Sequence, residues 1–255
     1  MKRICMIFII GLFLCNTFSV NAISFATPVN KPQRNICLMY HRLSVNPADW
    51  GAFCTSPAVF ENDLKILKQE GYTFCTAAEL AEFARKNDFT KKRVAITFDD
   101  GYSSDYIYAL PALQRQGAKA SFFIIGNRLN TPDYLSDEQL KKLAASPITE
   151  IGNHSFALHD SGYYNLRNMY YHSKNEKKIL SDFSKNKELL ESLTGQKIIS
   201  LSYPNGVYSE AMDKQIKKVY QNTVCTREED ITKTQKCMGR YNRYHSGEIL
   251  KIIKN

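Results

Sequence analysis

Several stretches of this chain are apolar on consecutive residues, not on alternate ones, and that feature limits the possible folds most. Residues 36–40, 94–98 and 120–125 are short, rich in β-branched or aromatic side chains, and nearly free of charge. Such runs read as strands buried on both faces. Segments with helical spacing lie between them. Ser56-Pro57 opens one that carries Phe60, Leu64 and Leu67 and stops at Gly71. Thr76 caps another with Leu80, Phe83 and Ala84, and a third begins at Ser103 or Ser104 and ends at Gly117. Pro111 inside that third segment predicts a kink or its true start. Further strands at 72–75, 149–151, 197–203 and 222–226 alternate with helices at 137–145, 173–193 and 209–218. This order predicts a parallel sheet with crossover helices, either a barrel or a doubly wound sheet. No linker, repeat or composition break divides it, so 35–255 reads as one domain, and 255 residues suffice for its core.

The first 22 residues are of another kind. Lys2 and Arg3 precede an apolar run over 4–14, and Val20-Asn21-Ala22 offers small residues for cleavage. That is the pattern of a secretory signal peptide, with a retained anchor as the other reading. Residues 23–34 then read as an extended leader, and the protein is expected in the periplasm or outside the cell. Without Lys2 and Arg3 the formal charge is +7, from 32 basic against 25 acidic residues. A basic balance permits an anionic partner. No basic run interleaved with aromatics occurs, which argues against nucleic acid, and a monomer touching membrane only through its substrate is expected. Five cysteines remain after cleavage, with no Cys-x-x-Cys spacing for a zinc or redox site. Cys37 reads as a small buried apolar residue, and of the other four Cys225–Cys237 and Cys54–Cys75 are the closer pairs in sequence and the candidate disulfides.

The chemistry gathers at strand ends. The run 94–98 finishes in Asp99-Asp100, and adjacent carboxylates at the mouth of a buried strand repel unless a proton or cation relieves them. One of them could simply cap the following helix; both gain a use if one binds a metal and the other takes a proton. His41 ends the first strand, and His154 and His159 follow the strand near 149–151. Two imidazoles and one carboxylate form a recurring ligand set for a catalytic divalent ion, and zinc would bring a bound water's pKa to about 7.

Thr97-Phe98-Asp99-Asp100-Gly101-Tyr102 resembles the first motif of the polysaccharide deacetylases, the NodB-homology or carbohydrate esterase family 4 domain. His154-Ser155-Phe156-Ala157-Leu158-His159 is similar to the family's second motif, one residue longer, as in the branch resembling poly-N-acetylglucosamine deacetylases. Leu38-Met39-Tyr40-His41-Arg42-Leu43 resembles that branch's first strand. The resemblance spans about 35–245 and implies a NodB-type distorted (β/α) barrel of seven parallel strands. It implies Asp99 as catalytic base, Asp100, His154 and His159 as ligands of one divalent ion, most often zinc, and the Asn205 backbone as oxyanion donor. Tyr102, Tyr203 and Pro204 adjoin these motifs as candidate sugar contacts.

Two departures stand out. Ser202 occupies the place of the family's usual arginine before Tyr203-Pro204-Asn205-Gly206, so the contact to Asp99 is absent or comes from Arg240 or Arg243. No Leu-x-x-His motif supplies the usual general acid, which leaves His41 and His245 as candidates. The resemblance thus implies an exported metal-dependent hydrolase removing N-acetyl groups from an N-acetylhexosamine polysaccharide or glycoconjugate. The alternatives are an O-acetyl esterase using the same site, or a carbohydrate-binding protein that has lost turnover.

Overall fold

The computed structural model describes residues 32–171, 175–233, 235–245 and 248–254; the expected signal peptide and most of the leader lie outside them. In chain order the elements begin with β1 (Asn35–Tyr40), the short ribbon β2 (Arg42–Leu43) and β3 (Cys54–Thr55), α1 (Pro57–Gln69), β4 (Thr73–Cys75) and α2 (Ala77–Arg85). Then come β5 (Arg93–Asp100), α3 (Leu110–Gln116), β6 (Ala120–Ile124), α4 (Asp137–Ala144) and β7 (Thr149–Asn153). The chain continues with α5 (Gly162–Tyr171), α6 (Glu176–Thr194), β8 (Ser200–Ser202), α7 (Glu210–Ile216), β9 (Asn222–Val224), β10 (Tyr241–Asn242) and α8 (Ile249–Lys254). The helix starts follow the capping signals. Ser56 Oγ accepts the Val59 N–H with Pro57 in first position, and Thr76/Glu79 and Ser136/Gln139 form capping boxes. Pro111 marks the start of α3, which one π-helical turn, Asp105–Ala109, precedes.

Seven parallel strands, in the order β10-β1-β5-β6-β7-β8-β9, curl into the expected NodB-type barrel. Their membership differs from the sequence reading. Residues 73–75 pair beside the path, against the start of β5, and β10 takes the seventh place. Two residues carry no periodicity, so β10 had no signal of its own. The segment 238–242 draws the barrel's edges together: Met238 bridges Val224 of β9, and Tyr241 and Asn242 pair with β1.

Alternate strand residues feed two cores. Ile36, Leu38, Tyr40, Val94, Ile96, Phe98, Phe122 and Ile124 pack outward among the helices. Cys37, Ala95 and Phe123 point the other way and meet Ala77, Leu80, Ala81 and Ala84 of α2, which plugs the barrel's lower end. Small and polar side chains therefore line the interior at its upper end, where strand termini open. Gly152 is required for this narrow bore, since a Cβ there would lie 2.4 Å from the Phe123 ring. The five described cysteines are free and buried, so neither candidate disulfide is formed. Cys54 sits in the β2–β3 ribbon, apart from Cys75 in the inner core.

Gly152→Ala is therefore expected to cost about 1–3 kcal/mol through overpacking, read as a lower thermal midpoint. An unchanged midpoint would show that β6 and β7 have slack there.

Candidate active site

The upper mouth of the barrel holds a cavity of about 660 Å³. Met39, His41, Asp99, Asp100, Tyr102, His154, His159 and Asn205 are on its walls. β5 delivers both aspartates, and each carboxylate is stabilised differently. Asp99 accepts from Arg240 through two parallel hydrogen bonds, Nη1 to Oδ1 at 2.6 Å and Nη2 to Oδ2 at 2.8 Å, and from Ser202 Oγ at 3.1 Å. Arg240 is fully buried and spends its other N–H groups on Cys225 O, Thr97 Oγ1 and Ser202 Oγ. Burial works to raise the Asp99 pKa, but the Arg240 charge overrides it and holds the carboxyl well below the usual range. The arginine missing before Tyr203 is thus replaced from 38 residues further along, with Ser202 joining both partners. Arg243 does not reach this site. It is buried against Asp63, donating to Oδ1 at 2.9 Å, and Asp63 also accepts the Tyr40 hydroxyl. Neither arginine lies on a surface strand.

Asp100 takes φ +79°, a conformation that L-residues other than Gly, Asn and Asp seldom adopt and that is found where a site holds a side chain in place. Its Oδ1 lies 3.5 Å from His154 Nε2 and 3.5 Å from His159 Nε2, and the three ligand atoms fall within 4.8 Å of one another. The same Oδ1 is buried without a hydrogen-bond partner among the described residues. A buried, unpartnered carboxylate oxygen facing two imidazole nitrogens fits a divalent cation. His154 Nδ1 lies 2.9 Å from the Ser202 carbonyl, which can only accept. Nδ1 therefore carries the proton and Nε2 turns its lone pair to the cluster. Burial would lower the His154 pKa, but the two carboxylates raise it; His159 is lowered, by burial and then by His154.

A polar scaffold that the sequence reading missed fixes the loop carrying both histidines. Asn153 is fully buried, donates to Phe183 O and Tyr220 OH, and accepts from Ser155 N and Asn186 Nδ2. Asp182 of α6 accepts from the Phe156 and Ala157 N–H groups at 2.7 and 2.9 Å. Both partners come from α6, 25 or more residues away, and nothing local in the sequence marks them.

Asn205 has φ +54° and lies on the cavity wall beside His159, whose carbonyl accepts from Asn205 Nδ2 at 3.3 Å. Tyr102 lines the cavity with its ring stacked on Tyr134. Tyr203 contributes to the floor but is fully buried, its hydroxyl donating to Asp213 at 2.8 Å. Pro204 is buried and is not on the cavity wall. Burial makes a hydroxyl contact from Tyr203, or any contact from Pro204, unavailable to a sugar. The two acid candidates also separate. His41 faces the cavity edge-on to Phe53, and burial lowers its pKa. His245 stacks on Trp50 at 4.3 Å and its Nδ1 accepts from Ser56 N–H at 3.4 Å, outside the cavity.

With this geometry in place, comparisons with known proteins agree on its kind. The family described as Polysaccharide deacetylase matches residues 86–224. The Bacillus subtilis protein YxkH is 30% identical over 198 residues, 77% of this chain and 66% of that one. The poly-β-1,6-N-acetyl-D-glucosamine N-deacetylase of Staphylococcus aureus is 27% identical over 171 residues, 65% of this chain. The chain spans only 58% of that relative's length. The structure of IcaB from Ammonifex degensii superposes with a TM-score of 0.71 at 23% identity, covering 83% of this chain and 92% of that one. A barrel of this strand order, with its motif residues gathered at one mouth, and a family match over more than half the chain lead to one statement: the chain belongs to the polysaccharide deacetylase family.

Proposed function

We propose that the protein is an exported, metal-dependent N-deacetylase acting on an N-acetylhexosamine polysaccharide. The observation that carries this reading is the Asp99–Arg240 pair standing beside the Asp100/His154/His159 cluster at one cavity. The Staphylococcus aureus relative is named for poly-β-1,6-N-acetyl-D-glucosamine, which makes an N-acetylglucosamine chain the first substrate to try.

Asp100, His154 and His159 are the residues that would hold the ion, and two imidazoles with one carboxylate suit zinc. A divalent ion bound there would supply the carbonyl polarisation and lowered water pKa that so weak a base as Asp99 needs. Asp99 remains ionised because of Arg240, and it takes the proton of the attacking water. The Asn205 N–H meets the carbonyl oxygen as its charge grows. His41, the acid candidate on the cavity wall, gives a proton to the departing amine. Acetate leaves, and an ammonium sugar remains.

The carbohydrate-binding alternative drew on the missing arginine and the missing general acid; Arg240 pairs with Asp99 in place of the first, and His41 is the acid candidate that faces the cavity. Export rests on the pattern of the first 22 residues; among the described residues no helix is long and apolar enough to cross a membrane.

Acetate release from N-acetylglucosamine oligomers, measured against O-acetylated glycans, tests the reading: amide turnover is expected, and turnover of esters alone would make the protein an esterase. Asp99→Asn should keep the metal and the fold while losing about 10²–10⁴-fold in rate. A variant as fast as wild type would remove Asp99 from the role of base.

For the ligand set, elemental analysis of purified protein should find one divalent ion per chain, lost in the His154→Ala/His159→Ala double variant. Full occupancy in that variant would place the ion elsewhere.

A further inference from the structure

The cavity is charged opposite to the chain that forms it. The sequence carries 34 Lys and Arg against 25 Asp and Glu, yet no Lys or Arg is among the described residues lining the cavity. Its carboxylates are Asp99, matched from behind by Arg240, Asp100 of the ligand set, and Glu228. Glu228 belongs to neither arrangement. It follows β9, is exposed, and accepts the backbone N–H of Asn242 through Oε1 at 3.2 Å, which ties it to the opposite rim strand. Its neighbours Arg227 and Glu229 pair with each other at 3.0 Å and line a separate surface groove, so of the three only Glu228 faces this cavity.

The mouth is also aromatic. Phe53, Tyr163 and Tyr244, all more than two-fifths exposed, line the same cavity. Phe53 and Tyr244 adjoin β3 and β10, while Tyr163 stands in the first turn of α5, after His159. Exposed rings concentrated at one opening mark a binding surface, and aromatic faces accept the apolar faces of sugar rings. Such a mouth suits several linked sugars.

We infer, resting on the deacetylase reading above, that the preferred substrate is a partly deacetylated amino-sugar chain, and that Glu228 receives the ammonium of a glucosamine adjoining the residue under attack. An acidic glycan would bring its carboxylates to a wall that has Glu228 and no Lys or Arg among its described residues to meet them, which disfavours it. Hydrolysis converts R–NH–CO–CH3 and water into R–NH3+ and acetate. Each turnover thus leaves the very group that Glu228 would bind, and one deacetylation favours the next beside it.

Three defined oligomers of equal length separate the possibilities by their rates of acetate release. One is fully acetylated β-linked N-acetylglucosamine, one has a single glucosamine beside an acetylated residue, and one alternates N-acetylglucosamine with glucuronate. Wild type should favour the glucosamine-flanked oligomer over the fully acetylated one roughly twofold to fivefold, as for one exposed ion pair, with the uronate oligomer slowest. Added salt should shrink the preference. Glu228→Gln keeps an oxygen for Asn242 and should bring the first ratio to near one, while Glu228→Lys should shift preference toward the uronate oligomer. Equal wild-type rates on the first two, or a ratio that survives Glu228→Gln, would overturn the inference while leaving the deacetylase reading intact. Silence on all three would overturn that reading, and the inference with it.

Discussion

Asp99 and Arg240 bury opposite charges together inside the upper barrel, and both the site and the closure of the sheet depend on how that pair is held. Either charge alone would be costly in so dry a place. Together they meet through two parallel hydrogen bonds, and Ser202, Thr97 and the Cys225 carbonyl satisfy the remaining donors of the guanidinium. Arg240 sits between Met238, which bridges β9, and Tyr241, which pairs with β1. The segment that draws the barrel's edges together therefore also carries the partner of Asp99, the proposed base. Removing one member of such a buried pair typically costs about 3–5 kcal/mol, because it strands the other. Since the Asp99 pKa is depressed in the folded state, its contribution to stability is present above the unfolded carboxyl pKa. It is lost only as pH falls toward the folded value.

Adjacent carboxylates need separate solutions, and β5 provides them by turning its backbone. Asp99 faces the guanidinium, while Asp100, at φ +79°, faces two imidazoles and leaves one buried oxygen for a cation. Asn153, Asn186 and Asp182 hold the facing loop that carries His154 and His159 toward Asp100.

What could be read from the sequence was what lies close along the chain. The Asp99-Asp100 pair and the His154…His159 spacing are contiguous motifs, and alternating buried runs and capped helices pointed to a parallel barrel. What stayed hidden depends on distant pairing. Arg240 reaches Asp99 across 141 positions, and both arginines, 240 and 243, looked equally suited until burial assigned the second to Asp63. His41 and His245 were likewise indistinguishable; one faces the cavity and the other stacks on Trp50. Pro204 and Tyr203 adjoin the right motif but are buried, since neighbours along a turn do not share a surface. The strand β10 and the loop partners on α6 had no local pattern to announce them.

Basic composition left an anionic partner open, yet no Lys or Arg is among the described residues lining the cavity. On the proposed reading, a site that keeps Asp99 ionised with an internal arginine and has no Lys or Arg in its described lining suits a neutral or cationic sugar. Arg240 holds Asp99 in its charged form. The pH dependence of acetate release by Arg240→Met, beside wild type, tests it most directly. Without the guanidinium, burial should raise the Asp99 pKa, so the variant should be slow at low pH and regain activity as pH rises. Wild type should show no such acid limb in that range. An Arg240→Met profile that coincides with wild type would contradict the account.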